Sequence, residues 1–208
     1  MKSETKEMRM FEFEIRAEGD EESGARISGR PIVFNSMTDM GRFDEVIDSG
    51  ALDNADLRDV RFLVNHDVNM IPLARSRNNN ANSTMRLEVV PEEGLDISVM
   101  LDTEQNADAR SLYSAIVRGD ITGMSFMMIV GGDRWEGLDS ERPVRHITDI
   151  ARVLEVSAVT FPAYAATSIS ARGLADALES ADAALDSAMA AKRADDRKRR
   201  IIKMLLEV

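Results

Sequence analysis

The chain has no cysteine and only two histidines, His66 and His146. The missing thiols exclude disulfides, thiolate zinc sites and thiol nucleophiles together, and they fit a reducing compartment. Two imidazoles are too few for a histidine-built metal cluster, which leaves an all-carboxylate site as the one metal chemistry still open. The expectation is therefore no metal and no cofactor. Aromatic residues make up 5%, and thirteen methionines take over part of the core filling. Basic charge is also short: 37 acidic against 26 basic residues give a net charge of −11. Nucleic-acid binding needs a basic face, so no nucleic-acid partner is expected. The one basic cluster, KRADDRKRRIIK at 192–203, is interleaved with acids. No apolar run approaches the roughly eighteen residues of a membrane span, and MKSETKEMRMFEFEIRAEG carries no apolar leader core, so neither a membrane segment nor a signal peptide is expected.

What is present is a globular composition, 44% hydrophobic and 30% charged over 208 residues. That length suits one domain with an appended tail. MFEFEIR (10–16) alternates apolar and charged residues as a half-buried strand does. RISGRPIVF (26–34) reads as a strand with a bulge or edge position at Gly29 and Pro31. The pattern in GRFDEVIDSGAL is too short to assign. Residues 60–65 and MIPLARS (70–76) read as strands, and NNNANS (78–83) as a polar loop. Runs 84–90 and 95–101, joined by PEEG, form a hairpin signal. NADARSLYSAIVRGD (106–120) predicts a helix capped by Asn106 or Asp108 and ended near Gly119. ITGMSFMMIV (121–130) predicts a buried strand, GGDRWEGLDSERP its turn, and 144–161 one or two further strands. From Gly173 onward, Leu174, Ala177, Leu178, Ala181, Leu185 and Ala188 recur at helical spacing, in a stripe suited to pairing with another helix. The expected organisation is a β-rich domain over 1–172 and a helical tail over 173–208.

Three segments end an apolar run with a reactive side chain: His66 in FLVNHD, Ser125 in GMSFMM and Glu155 in LEVSAVTFPAY. A base, a hydroxyl and an orienting carboxylate are the parts of a serine hydrolase. Strand alternation puts Glu155 on one face with Val153, Ser157, Val159 and Phe161, and a carboxylate on an apolar face needs a partner. The plain alternatives are a structural histidine, an ordinary serine, and a salt bridge from Glu155 to Arg152 or Arg145. Asp67 and His146 are the rivals for the third position. GxSxG, HExxH and Walker motifs are all missing.

Taken in order, GRPIVFNSMTDMGRFDEVIDSGAL, FLVNHDVNMIPLARS, GLDISVMLD, IVRGDITGMSF and LEVSAVTFPAYAATSISAR resemble the head-maturation (prohead) proteases of tailed bacteriophages, over roughly residues 11–172. That family is related to the herpesvirus assemblins, so the resemblance implies a mainly β, α+β fold: an assemblin-like β-barrel ringed by a few helices. It implies His66 as base, Ser125 as nucleophile and Glu155 as third member. It places the loop FPAYAATS near the oxyanion, with Ala163, Tyr164, Ala165 and Ala166 as backbone donors because Pro162 has no N–H. Met127 and Met128 depart from the commoner pattern, in which a glycine often follows the phenylalanine. The implied function is a serine endopeptidase inside the assembling procapsid, in the host cytoplasm. Its partners would be the scaffold protein or a scaffold-like segment of the major capsid protein, and the enzyme itself; self-association stays open, since the herpesvirus relatives dimerise. The tail would guide packaging with the scaffold or be trimmed by self-cleavage. The alternative class is a catalytically inactive capsid-interior protein on the same scaffold.

Overall fold

The structure, a computed structural model, describes residues 6–11, 15–18, 24–160 and 171–206. Eleven strands and two α-helices follow in chain order. The strands are β1 (Lys6–Phe11), β2 (Ile15–Glu18), β3 (Arg26–Val33), β4 (Thr38–Asp39), β5 (Asp44–Ile47), β6 (Arg61–Val64), β7 (Ala74–Arg75), β8 (Met85–Val90) and β9 (Gly94–Met100). Helix α1 (Ala107–Arg118), β10 (Gly123–Glu136), β11 (Val144–Val159) and α2 (Ala171–Leu206) complete the chain.

The protein is mainly β with two helices, an α+β architecture. The described strands do not close into the expected barrel. They form a seven-stranded sheet, with β1, β10, β11, β5 and β4 in order, β6 paired to β11 and β7 to β6, and a four-stranded sheet ordered β2-β3-β9-β8. Closure needs a hydrogen-bonded ladder between the two sheets. Their edge strands are instead left apart, and the sheets meet through side chains. Ile27, Ile32, Leu95, Ile97 and Val99 of the smaller sheet share one apolar core with Phe62, Met124, Phe126, Val156 and Ala158 of the larger. Helix α1 adds Ala109, Leu112 and Ile116, one stripe at helical spacing. Its ends carry the expected signals: the Asn106 side chain accepts from the backbone N–H groups of Asp108 and Ala109, and Gly119 closes the helix at φ 76°.

Strand β11 is the hub. Along one edge it pairs antiparallel with β10; along the other it pairs in parallel with β5 at its start and with β6 near its end. The short pattern around Asp44–Ile47 thus becomes a strand because a neighbour is waiting for it. The glycine-rich stretch expected as a turn stays in β10 through Glu136, and the turn falls at Gly137–Ser140. MFEFEIR divides between β1 and β2, which join different sheets. MIPLARS contributes only the two residues of β7.

Bulges correct the predicted face of β11. Met127 pairs with Glu155, but Met128 pairs with Val153, so Leu154 is an extra residue. Val153 therefore joins Val156 and Ala158 in the core, while Glu155, Ser157 and Val159 face the other way. The predicted bulge near Gly29 and Pro31 is present as a register shift against β9. Opposite the end of β3, Gly94 sits at φ 146°, where a Cβ would collide with the Ile32 carbonyl; only glycine allows β9 to approach β3 there.

Helix α2 does more than project. Ala181 and Leu185 are buried against Met40 and Phe43, with Trp135, Leu138 and Met189 around them. Arg42 pairs with Asp182 and Asp186, and Lys192 with Asp139. The stripe read as suited to helix pairing is used, over this stretch, against the β domain. No described helix is long and apolar enough to cross a membrane.

Candidate active site

The far face of the larger sheet, turned away from the main core, carries polar side chains in buried positions. Ser125 on β10 stands directly opposite Ser157 on β11. Both are fully buried, and Glu155 is nearly so. In parallel register, Leu63 of β6 lies beside Ser157. Directly opposite residues place their Cβ atoms about 4.5–5.5 Å apart on a shared face, so Ser125 and Ser157 are immediate neighbours.

His66 arrives from the end of β6. The parallel ladder continues one step, Asn65 N–H donating to the Ala158 carbonyl at 2.9 Å. The chain then turns sharply, with Asp67 N–H donating to the Val64 carbonyl at 3.1 Å. Both residues inside the turn are left-handed, Asn65 at φ 50° and His66 at φ 57°. Asparagine and histidine are among the side chains that tolerate this region best. Asn65 fixes the turn to the end of β11: its amide Nδ2 donates to Thr160 Oγ1 at 2.9 Å, and its Oδ1 accepts from the Thr160 N–H at 2.9 Å.

The turn swings the imidazole back over β11. His66 Nδ1 lies 2.5 Å from Glu155 Oε1. The other carboxylate oxygen, Oε2, accepts from the Ser157 hydroxyl at 2.6 Å, and Ser157 Oγ accepts from the His66 backbone N–H at 3.1 Å. Side-chain exposure is 6% for His66 and 4% for Glu155. An ionised carboxylate only accepts, so in this contact Nδ1–H is the donor and Nε2 is the nitrogen turned away from Glu155. Nε2 is buried and has no hydrogen-bond partner among the described residues. An unsatisfied buried nitrogen of this kind is costly in a folded interior, and a catalytic role is one physical reason to keep it. The arrangement fixes the orientation of the imidazole, with Nδ1 on a carboxylate and Nε2 unsatisfied.

Structure and sequence thus agree on one juxtaposition and part on others. His66 and Glu155, 89 positions apart, are in contact. Glu155 bridges to neither Arg152 nor Arg145, which pair with Asp56 and with Glu7, Glu45 and Asp133. Asp67 is exposed and its Oδ1 accepts from Asn69 N–H. His146 belongs elsewhere, against Asp48 and Arg134. Ala163, Tyr164, Ala165 and Ala166 lie outside the described residues. Sequence reasoning placed Ser157 on the Glu155 face but gave it no part; its hydroxyl joins carboxylate and turn. Asn65 was also missed, although an asparagine just past a strand end is a legible sign of left-handed backbone.

A family model described as caudovirus prohead serine protease matches residues 11–180. Searches of curated proteins and of solved structures found no match.

Proposed function

The chain belongs to the caudovirus prohead serine protease family, and we propose from that premise that it is a serine endopeptidase whose catalytic residues are Ser125, His66 and Glu155. The observation that carries the assignment is the 2.5 Å contact between His66 Nδ1 and Glu155 Oε1, with Nε2 left without a partner. Ser125 Oγ attacks the scissile carbonyl carbon and passes its proton to His66 Nε2. Glu155 holds the imidazolium that forms. The C–N bond breaks as Nε2 returns the proton to the leaving amine, and water then hydrolyses the acyl–serine ester with the same base. Ser125 is fully buried, so peptide entry goes with a movement that uncovers it. Backbone N–H groups of Ala163 to Ala166 are proposed as the oxyanion donors. Ser157 is a positioning residue: its proton goes to Glu155, not to the base, which makes Ser125 the better candidate for nucleophile.

The substrates are the scaffold protein, or a scaffold-like segment of the major capsid protein, and the enzyme itself, acted on inside the assembling procapsid in the host cytoplasm. Kinship with the herpesvirus assemblins belongs to the same proposal, at the level of the serine–histidine chemistry and not of a closed barrel. The division at 172/173, with the tail as a scaffold-contacting or self-cleaved segment, does too. The test is incubation of the purified chain with its capsid precursor, followed by mass spectrometry. Cleavage that is lost in both Ser125→Ala and His66→Ala is the expected result. Cleavage unchanged in either variant removes the assignment, and no cleavage by the wild type favours an inactive capsid-interior protein. Equal intact masses of wild type and Ser125→Ala under assembly conditions would remove self-trimming.

A further inference from the structure

A groove of about 530 Å³ opens immediately beside the His66 turn. Asn65 and Asp67, the chain neighbours of His66, both line it, so its wall is within one Cα step of the proposed base. Its apolar lining comes from three separate parts of the chain: Val64 and Met70 flank the turn, Leu112 comes from α1, and Ile121 from the link into β10, four residues before Ser125. Every described ionisable residue in the lining is acidic: Asp67 on one side and Asp108, in the first turn of α1, on the other. Both are exposed, and no described cation pairs with either. Elsewhere on the surface Asp39, Asp44, Asp56 and Asp59 are all engaged by arginine. Outside the groove, Val68 and Ile71 of the same loop are 67% and 82% exposed. They extend an apolar surface away from the site.

We propose that this groove is a specificity subsite of the peptidase, taking a lysine or arginine side chain of an extended substrate segment close to the scissile bond. The inference rests on the peptidase reading above and adds the substrate class. A long basic side chain is the occupant that fits both halves of the lining. Its methylene stem lies along Val64, Met70, Leu112 and Ile121, and its cationic head reaches the Asp67 and Asp108 carboxylates. A purely aliphatic side chain would gain nothing from the two carboxylates, and an acidic one would be repelled. The net charge of −11 draws basic segments in from solution in the same sense.

The test uses the full chain and internally quenched peptides that differ at one position near the cleaved bond, with Lys, Met, Gln or Glu there. The Lys peptide should have a kcat/KM about tenfold above the Met and Gln peptides, since each exposed carboxylate–cation pair is worth up to about fivefold. The preference should shrink at high salt. Asp108→Asn should remove most of it, and Asp108→Lys should turn it toward Glu. Ala115→Phe, which fills the groove from α1, should raise KM for every peptide more than it lowers kcat. A Lys preference that survives Asp108→Lys in an active enzyme overturns the groove and leaves the peptidase standing. Equal cleavage of Met and Lys peptides overturns the basic occupant. A chain dimer that sedimentation shows to be broken by Ala115→Phe overturns it in favour of a second copy. A wild type that cleaves nothing and leaves Ser125 unlabelled by a fluorophosphonate removes the peptidase reading, and the subsite with it.

Discussion

An imidazole is aimed as a base when its other nitrogen is held, and in this protein the holding is done twice over. Glu155 grips Nδ1, and Ser157 ties the carboxylate to the backbone of the very residue that carries the ring. Ser125→Ala or His66→Ala should therefore lower kcat/KM by on the order of 10⁴–10⁶-fold, read with the capsid precursor, at unchanged KM. Glu155→Gln keeps the shape but offers Nδ1 a group that can donate, which favours the wrong tautomer; a loss on the order of 10⁴-fold is expected. Ser157→Ala should cost far less, about 10–100-fold, and should show in the pH profile of kcat/KM because the carboxylate loses a donor. An unshifted profile would make Ser157 merely structural. The base and the carboxylate were legible in the sequence as isolated polar groups at the ends of apolar runs. Their contact was not, because it depends on a parallel pairing of β6 with β11 and on a left-handed turn at Asn65 and His66. Ser157 was invisible as a participant because serine is common and a hydroxyl carries no periodic signal.

At the scale of elements, the molecule is held by what meets at β11. Arg145 on that strand is buried and reaches Glu7 of β1, Glu45 of β5 and Asp133 of β10, with Trp135 beneath its guanidinium at 5.8 Å. Burial by itself pulls its pKa down, but the hydrogen bonds it donates to Glu7 and the charges of Glu45, Glu7 and Asp133 outweigh that and hold it above the ordinary value. Arg145→Met would take the guanidinium from two buried carboxylates, Glu7 and Glu45, and should cost about 3–5 kcal/mol in denaturant unfolding. A loss below 1 kcal/mol would mean that the cluster is not what joins β1 to the sheet. The tail has a weaker tie. Leu185→Ala should loosen α2 from Phe43 and Met40 and speed proteolytic cutting within the helix, leaving the β domain intact. Helix α1 was the element best read from sequence, since caps and stripe sit in one stretch: Asn106, Gly119, and Ala109, Leu112 and Ile116. Strands β4, β5 and β7 were poorly read, because two to four residues carry too little periodicity and their pairing partners lie far along the chain. The glycines at 131 and 132 looked like a turn, yet they sit within the bulged part of β10 close against Asp149.

For the molecule as a whole, an acidic surface is kept folded by placing arginine against carboxylate. Asp56 is held well below the usual carboxylate range by the Arg58 guanidinium and N–H, and by Arg152. Arg75 lowers Asp59, while the Gly41 N–H and then Arg142 lower Asp39. These groups bind protons more weakly folded than unfolded. Their contribution is complete above about pH 4, the unfolded carboxylate value, and is lost as pH falls through the depressed folded values. All three are largely solvent-screened, so the expected acid loss is modest and smaller at high salt. Thermal melts should show a fall in Tm from pH 5 to pH 3, and a shallower fall in Asp56→Asn; identical slopes would remove Asp56 from this account. The central claim, that Ser125 is activated by a His66 backed by Glu155, is tested most directly by intact-mass analysis of the full chain after reaction with a fluorophosphonate. The account predicts a single adduct that maps to Ser125, absent in His66→Ala and strongly slowed in Glu155→Gln. An adduct on Ser157 or another serine, or labelling of Ser125 at the same rate without the imidazole, would contradict it.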